Sequence, residues 1–333
     1  MNLTETTDVH IIGQGSIGAL ISVNAQHQGY HVQHYVKAPT SSESAGTKSA
    51  STGNANQPTP VTVQYLDQQT YSLPPGIVLN DHSRLTGVVI IPVKAYQVAQ
   101  VLAELKGRVA PEATIVLLHN GMGSIELANT LFEDHVIIAA TTTLAGFKRD
   151  KVVTHTAWGE TQLGIVSHHT LCPHQAIIDD VLSSVTWHDD IYPALYTKLA
   201  INCVINPLTA ILNVPNGDLS ASHLHDDMHA IIHEVVEAAR MVHVELTPSD
   251  LFATVLKVIH DTRNNFSSMQ QDIAHDRKTE IEHINGYIVN VGRRFGLQMT
   301  RNEALLDHVL AMESPANLTF DQLLFNTLFK FGF

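Results

Sequence analysis

Cysteine is scarce. Only Cys172 and Cys203 occur in 333 residues, too few for a disulfide framework, and this fits a reducing compartment. Basic residues are outnumbered: 19 Lys and Arg stand against 32 Asp and Glu, a formal net charge of −13. A general DNA or RNA binder needs a basic surface to displace counterions from phosphate, so nucleic acid is not expected as a partner. A few local cations would still suffice for a phosphorylated small molecule. No uninterrupted apolar run of about 18 residues stands out, so no membrane span is expected. The opening MNLTETTDVH lacks a basic stretch followed by an apolar one and does not read as a secretory signal. These absences together predict a soluble, cytoplasmic chain with no membrane partner. Charged residues are 15% and hydrophobic ones 44%, enough to bury sizeable cores, and the length favours two domains. The 21 histidines make the net charge sensitive to pH near neutrality.

The most informative stretch is TKLAINCVINPLTAI, residues 197–211. Lys198, Asn202 and Asn206 recur at steps of four in an otherwise apolar run. On an α-helix each such step advances about 40° past a full turn, so the three share one stripe. Leu199, Cys203, Val204 and Leu208 are left for a core. Unpaired polar groups inside a protein are unfavourable, and asparagine is a poor interior helix former. A solvated face is the plain alternative; one wall of a small-molecule site is the reading preferred. Pro207 has no N–H, so a kink and a free carbonyl on Cys203 are expected at the end of the stripe.

Val9–Ile12 is a short apolar run that enters Gly13-Gln14-Gly15-Ser16-Ile17-Gly18, and an amphipathic stretch follows to about Gln28. Strand, glycine turn and helix in this order suit a dinucleotide. The first glycine permits the turn, the second lets backbone approach a pyrophosphate, and the third lets helix pack on strand. The helix N-terminus then offers N–H groups to phosphate. His31–Val36 reads as a second strand, with Lys37 at its end, where a cation rather than a carboxylate favours a 2′-phosphate and hence NADP. Residues 38–60 are small, polar and low in complexity and read as a surface loop. Val61–Leu73 suggests a hairpin. Gly87–Val93 and Thr114–Leu118 read as buried strands that end at Lys94 and at His119-Asn120-Gly121, positions where ligands bind in doubly wound sheets. Val136–Ala140 and Thr141–Gly146 repeat strand then loop. Lys151–Ile165 alternates like antiparallel strands, Leu171–Ser184 reads as helix and Val185–His188 as a last strand.

From Ile191 the periodicity becomes helical, and the domain boundary is placed near Asp189: residues 1–189 and 190–333. His225, His229 and His233 share a helical stripe, but without cysteine or HExxH a solvated face is preferred to a metal site, and no metal is expected. Asn213-Val-Pro-Asn216-Gly217 reads as a turn. Thr279 with Glu282 three residues on is a capping-box pattern, predicting a helix that starts at Thr279 with Glu280 in its first turn and a break in Ala274–Lys278. Ser268 and Glu280, 12 positions apart in the sequence, would sit about 18 Å apart on one straight helix, so Ser268 is expected to precede that break.

KLAINCVINPLTAI resembles the signature helix of the ketopantoate reductases. IIGQGSIGAL (11–20), VKAYQV (93–98), LHNGMGSIE (118–126), SSMQQDI (267–273) and KTEIEHINGY (278–287) agree with that family in order and spacing. The resemblance implies an α/β Rossmann-like N-terminal domain and an all-α C-terminal domain of the 6-phosphogluconate dehydrogenase-like type. It implies NADPH-dependent reduction of 2-dehydropantoate to (R)-pantoate in a cleft between the two. Cofactor contacts fall on Gly13, Gln14, Gly15, Ser16, Ile17, Gly18, Lys37, Lys94, Asn120, Gly146 and Glu280. Substrate contacts fall on Asn120, Lys198, Asn202, Asn206, Asn216 and Ser268. Lys198 is the implied proton donor, with Glu280 beside it to orient ligand and keep the lysine charged. A reductase of another 2-keto acid or β-hydroxy acid, or a non-catalytic NADP-sensing protein, is the alternative reading. The tail after Glu313 matches the family poorly; its Phe and Leu residues would form an oligomer contact, such as a homodimer, or pack back on the body.

Overall fold

The computed structural model describes residues 8–36, 60–80 and 82–313. Lys37, the low-complexity segment before Pro60 and the tail after Glu313 lie outside the described residues. The chain divides into two compact units: Met1–His119 with Ser124–Ile191, and Asn120–Gly123 with Tyr192–Phe333.

In the first unit the strands are β1 (Asp8–Ile12), β2 (His31–Val36), β3 (Val61–Gln64), β4 (Thr70–Leu73), β5 (Ile77–Val78), β6 (Val88–Ile91), β7 (Thr114–Leu118), β8 (Val136–Thr142), β9 (Ala145–Arg149), β10 (Val152–Ala157), β11 (Thr161–Ile165) and β12 (Val185–Trp187). Among the described residues the helices that accompany them are α1 (Ser16–His27), α2 (Ala95–Leu105), α3 (Ile125–Leu131) and α4 (Gln175–Val181). The main sheet runs β12-β11-β8-β7-β6-β1-β2-β5. From β5 to β8 all neighbours are parallel, and β11 is antiparallel to β8. The strand order reverses between β1 and β6, which makes the crevice beyond their carboxyl ends the natural ligand site.

A second sheet, β4-β3-β10-β9, was not foreseen. The hairpin of Val61–Leu73 forms, but it belongs to this second sheet. The alternating segment Lys151–Ile165 forms two strands with antiparallel partners in different sheets: β10 pairs antiparallel with β9 and parallel with β3, while β11 pairs antiparallel with β8 in the main sheet. α1 lies between the sheets. Ile21 and Ala25 pack with Val9, Ile11 and Ile90 of the main sheet, whereas Ala19, Leu20 and Val23 pack with Val61, Val63 and Val153 of the second. A helix covered on both faces is apolar nearly all round, and SIGALISVNAQH is so. The helix expected over Leu171–Ser184 is confined to α4, because Pro173 disfavours a helical Cys172 and Ser184 takes a positive φ of 50°.

The second unit is helical: α5 (Tyr192–Leu212), α6 (His225–Met241), α7 (Pro248–Asp261), α8 (Ser268–Ala274), α9 (Asn285–Phe295) and α10 (Thr300–Glu313), with 3₁₀ turns at Asn216–Ser220, Ser222–Leu224 and Ile281–His283. α5 is its centre and touches α6, α7, α8 and α10. It is long and apolar enough to cross a membrane by length and composition, contrary to expectation, but 78% of its apolar stretch is buried in the fold. Leu199, Cys203, Val204 and Leu208 face the core, each at most 2% exposed. α5 continues through Pro207 to Leu212, and the Cys203 carbonyl is not free: Asn285 Nδ2 donates to it at 3.1 Å.

The break before Glu280 is present, and Ser268 precedes it. The capping box at Thr279 is not. Thr279 Oγ1 accepts from Ile281 N at 3.2 Å and opens a 3₁₀ turn, and the α-helix begins only at Asn285. The Thr279 N–H donates to Glu313 Oε1 at 2.7 Å, so a carboxylate from α10 takes the part expected of Glu282. Glu282 pairs with Lys278 at 2.9 Å. Glu280 therefore sits in a 3₁₀ turn, not in the first turn of an α-helix. His225 and His229 pack on Phe252, the latter stacked at 3.7 Å, and no cluster of ligating side chains able to hold a metal occurs among the described residues.

Candidate active site

The glycine turn joins β1 to α1 at the reversal of strand order. Gly13 has φ +108°, and a Cβ there would meet Val93 Cγ1 at 2.7 Å, just before Lys94. A Cβ on Gly18 would meet the Gly13 carbonyl at 2.6 Å, so this glycine lets α1 pack on the turn. Gly15 differs: a Cβ there would have no protein atom within 4 Å. The space over Gly15 is open where backbone would approach a pyrophosphate. Gly15 is the N-cap of α1 and no side chain caps the helix, which leaves the amides of its first turn, Ser16, Ile17 and Gly18, for an anion. Gln14 Nε2 is buried and, among the described residues, has no hydrogen-bond partner. A buried donor without an acceptor is unfavourable, and a phosphate oxygen would supply one. The turn thus fits a dinucleotide.

Lys94 is the N-cap of α2. Its N–H donates to Gln97 Oε1 at 3.2 Å and its carbonyl accepts from Gln97 N at 2.8 Å. Gly146, expected in a loop, lies inside β9 opposite His155. A Cβ there would meet the Thr154 carbonyl at 2.9 Å and Leu20 Cδ1 at 3.0 Å, so the glycine lets β9 close on α1. Two residues further along β9 is a group the sequence reading passed over: Lys148 Nζ donates to the Gln14 carbonyl at 2.8 Å. Its partner is 134 positions away, and no local pattern announces it.

In the second unit the predicted stripe is real. Lys198, Asn202 and Asn206 follow one another up α5. Asn202 is 8% and Asn206 7% exposed, yet among the described residues neither side-chain amide makes a hydrogen bond, and the Lys198 ammonium makes no hydrogen bond or ion pair. Burial lowers the Lys198 pKa from its ordinary value. Desolvation is the cause of that shift.

Asn216 opens the 3₁₀ turn after α5. Its Nδ2 donates to Thr262 Oγ1 at 2.9 Å while its Oδ1 is buried without a partner. Ser268 is exposed at the first position of α8. Its neighbour Ser267 is the N-cap: Ser267 Oγ accepts from Gln270 N at 3.0 Å and from Thr209 Oγ1 at 2.7 Å, tying α8 to α5. Asn120 belongs by its contacts to this unit. The loop that carries it is bonded to the turn that carries Glu280, through Met122 N to the His283 carbonyl at 3.0 Å. Gly121, with φ +83°, permits that approach, since a Cβ there would lie 2.7 Å from the same carbonyl. Glu280 is 4% exposed, and its own carbonyl accepts from His283 N and Ile284 N.

Comparison with known proteins gives this arrangement a family. The family described as ketopantoate reductase PanE/ApbA matches residues 9–168, and its C-terminal counterpart matches residues 190–313. The 2-dehydropantoate 2-reductase of Escherichia coli O157:H7 is 31% identical over 310 residues, covering 92% of this chain and 95% of that protein. The enzyme of the same name from Vibrio cholerae is 36% identical over 231 residues, covering 68% and 77%. Among solved structures, D-mandelate dehydrogenase with NADH and anilino(oxo)acetate has the same fold, with a TM-score of 0.80 at 20% identity and coverage of 94% and 100%. With both halves of the chain matched, and with a glycine turn and a Lys-Asn-Asn helix in their expected elements, the chain belongs to the ketopantoate reductase family of oxidoreductases.

Proposed function

We propose that this protein reduces 2-dehydropantoate to (R)-pantoate with NADPH, as a cytoplasmic homodimer serving pantothenate synthesis, with residues 1–189 holding cofactor and 190–333 holding substrate. The observation that carries this reading is the stripe Lys198, Asn202, Asn206: two buried amides and one partly buried ammonium, none with a partner among the described residues. A bound hydroxy-carboxylate would give these half-sheltered donors and acceptors the partners that the fold does not supply.

When bound, the reduced nicotinamide supplies the hydride that the ketone carbon accepts. The developing alkoxide then needs a proton. Lys198 gives it, and its charge steadies the oxygen beforehand. Burial makes this ammonium a better acid than a free lysine. Asn202, Asn206, Asn216 and Ser268 hold the substrate's hydroxyl and carboxylate. Asn216 Oδ1, buried and unpaired, suits a hydroxyl donor. Asn120 and Glu280 orient substrate and cofactor. The cofactor rests on Gly13, Gln14, Gly15, Ser16, Ile17 and Gly18, with Lys94 and Gly146 near it and Lys37 at the 2′-phosphate.

The test is NADPH oxidation with 2-dehydropantoate against pyruvate and other branched 2-keto acids, repeated with NADH. Turnover should be greatest with 2-dehydropantoate and NADPH, and Lys37→Asp should weaken NADPH but not NADH. Preference for a different keto acid would reassign the substrate. Cofactor binding without turnover of any would favour a sensing role. Light scattering checks the dimer.

A further inference from the structure

Lys148 has no place in the scheme above. It lies on β9 in the second sheet, yet its ammonium reaches the glycine turn and donates to the Gln14 carbonyl at 2.8 Å. One of its three N–H groups is used there; no other hydrogen bond or ion pair is made by it among the described residues. The carbonyl it holds belongs to the peptide that links Gln14 to Gly15, the residue over which the space is open. On the same residue, Gln14 Nε2 is a buried donor with no acceptor. A cation therefore holds the peptide that leads into an uncapped helix N-terminus, and the residue that contributes this carbonyl also carries a buried, unpaired donor.

We infer that Lys148 is a further cofactor-binding residue, a cation delivered by the second sheet to the pyrophosphate held over Gly15, with Gln14 Nε2 as its neutral companion. This inference rests on the dinucleotide reading of the glycine turn. Its physical basis is simple. Helix N–H groups bring partial charge to a phosphate, and a full charge beside them adds a charge-assisted hydrogen bond. The closure of β9 on α1 over Gly146 brings Lys148 to that place. Burial lowers the Lys148 pKa, as expected of a cation that lacks its counter-charge. A purely structural role is the competing account, in which Lys148 only ties β9 to the turn.

The two accounts separate by substitution and by ligand. Lys148→Gln keeps a donor for the Gln14 carbonyl and removes the charge; Lys148→Arg keeps the charge. Dissociation constants for NADPH, ADP and adenosine are measured at low salt for both variants and the unmutated chain, with thermal unfolding as the control for folding. Lys148→Gln should weaken NADPH and ADP about fivefold to tenfold and leave adenosine within about twofold. Lys148→Arg should retain most of the ADP affinity, and the ADP effect should shrink at high salt. An unchanged ratio of ADP to adenosine affinity in Lys148→Gln would overturn the proposal while leaving the dinucleotide reading intact. An unmutated chain that binds neither NADPH nor ADP would remove that reading and the proposal with it. If Lys148→Gln fails to fold, loss of ADP but not adenosine affinity in Lys148→Met would still support the proposal, and equal loss of both would overturn it.

Discussion

Asn285 Nδ2 lies 3.1 Å from the Cys203 carbonyl, the one that Pro207 leaves without its helical partner. The same amide donates to Asn302 Oδ1 at 3.0 Å, and Asn302 Nδ2 donates to Glu234 Oε2 at 2.8 Å. Glu234 in turn accepts the amides of Arg301 and Asn302 at the start of α10. One buried chain of polar groups thus ties α5, α9, α10 and α6. Replacing Asn285 by Leu would leave two buried acceptors without donors. A stability loss of about 2–4 kcal/mol is expected, measured by urea unfolding. A loss below about 0.5 kcal/mol would show that the carbonyl finds water instead.

What the sequence discloses follows from the range of each signal. The stripe on α5 was readable because three polar side chains at steps of four in an apolar run form a local pattern. The glycine turn was readable for the same reason. The partner of the Cys203 carbonyl was not, because it comes from 82 residues away. Thr279 misled because its capping pattern is genuine, but the carboxylate that meets its N–H belongs to Glu313. With Glu282 drawn to Lys278, the α-helix starts later. Gly146 looked like a loop residue because glycine commonly marks one; here it serves close packing of β9 on α1. Lys37 remains a reading from sequence alone.

Gly15 and Gly18 should fail in different ways. A Cβ on Gly15 meets open space, so Gly15→Ala should fold with stability within about 1 kcal/mol of the parent and weaken NADPH binding. Gly18→Ala forces a Cβ to within 2.6 Å of the Gly13 carbonyl, so it should lower the unfolding temperature. Calorimetry and cofactor titration on both variants check this. Equal destabilisation by the two would contradict it.

His34 predicts sensitivity to acid. It is 2% exposed, its Nε2 has no partner, and burial pushes its pKa down to about 4 from 6.5. The unfolded state therefore takes up a proton before the folded state does. The stability owed to a neutral His34 is complete above pH 6.5 and is lost as pH falls toward about 4. Each pH unit inside that window costs up to about 1.4 kcal/mol. His34→Gln should flatten the fall in urea-unfolding free energy between those limits; an equally steep fall in the variant would place the proton uptake elsewhere.

Ser267 and Ser268 are adjacent but should separate stability from affinity. Ser267 Oγ caps α8 and accepts from Thr209, so Ser267→Ala should lower stability by about 1–2 kcal/mol. Ser268 is exposed and has no partner among the described residues. Ser268→Ala should leave stability within about 0.5 kcal/mol and raise KM for 2-dehydropantoate. An unchanged KM would remove Ser268 from the substrate site.

Lys198 is the proposed proton donor, and its environment sets the form of the test. Ketone reduction needs a group that is protonated at working pH yet able to release its proton to an alkoxide. Burial lowers the Lys198 pKa from 10.5, and among the described residues no ion pair raises it again. The acid form is active, so kcat should fall as pH rises through the lowered pKa, with its alkaline limb below the value of an ordinary lysine. Lys198→Ala should still bind NADPH through the glycine turn, since that site lies in the other unit. Its kcat should drop by at least about a hundredfold, because general acid catalysis is typically worth ~10²–10⁴-fold and loss of the charge adds to it. Lys198→Arg should not restore the rate, because a guanidinium keeps the charge but is a very poor proton donor. The KM effect should be smaller than that of Asn202→Ala, which removes a group proposed to bind substrate without transferring a proton. A folded Lys198→Ala protein with near-normal kcat would remove this residue from the mechanism and leave the unpaired amides of α5 without a catalytic explanation.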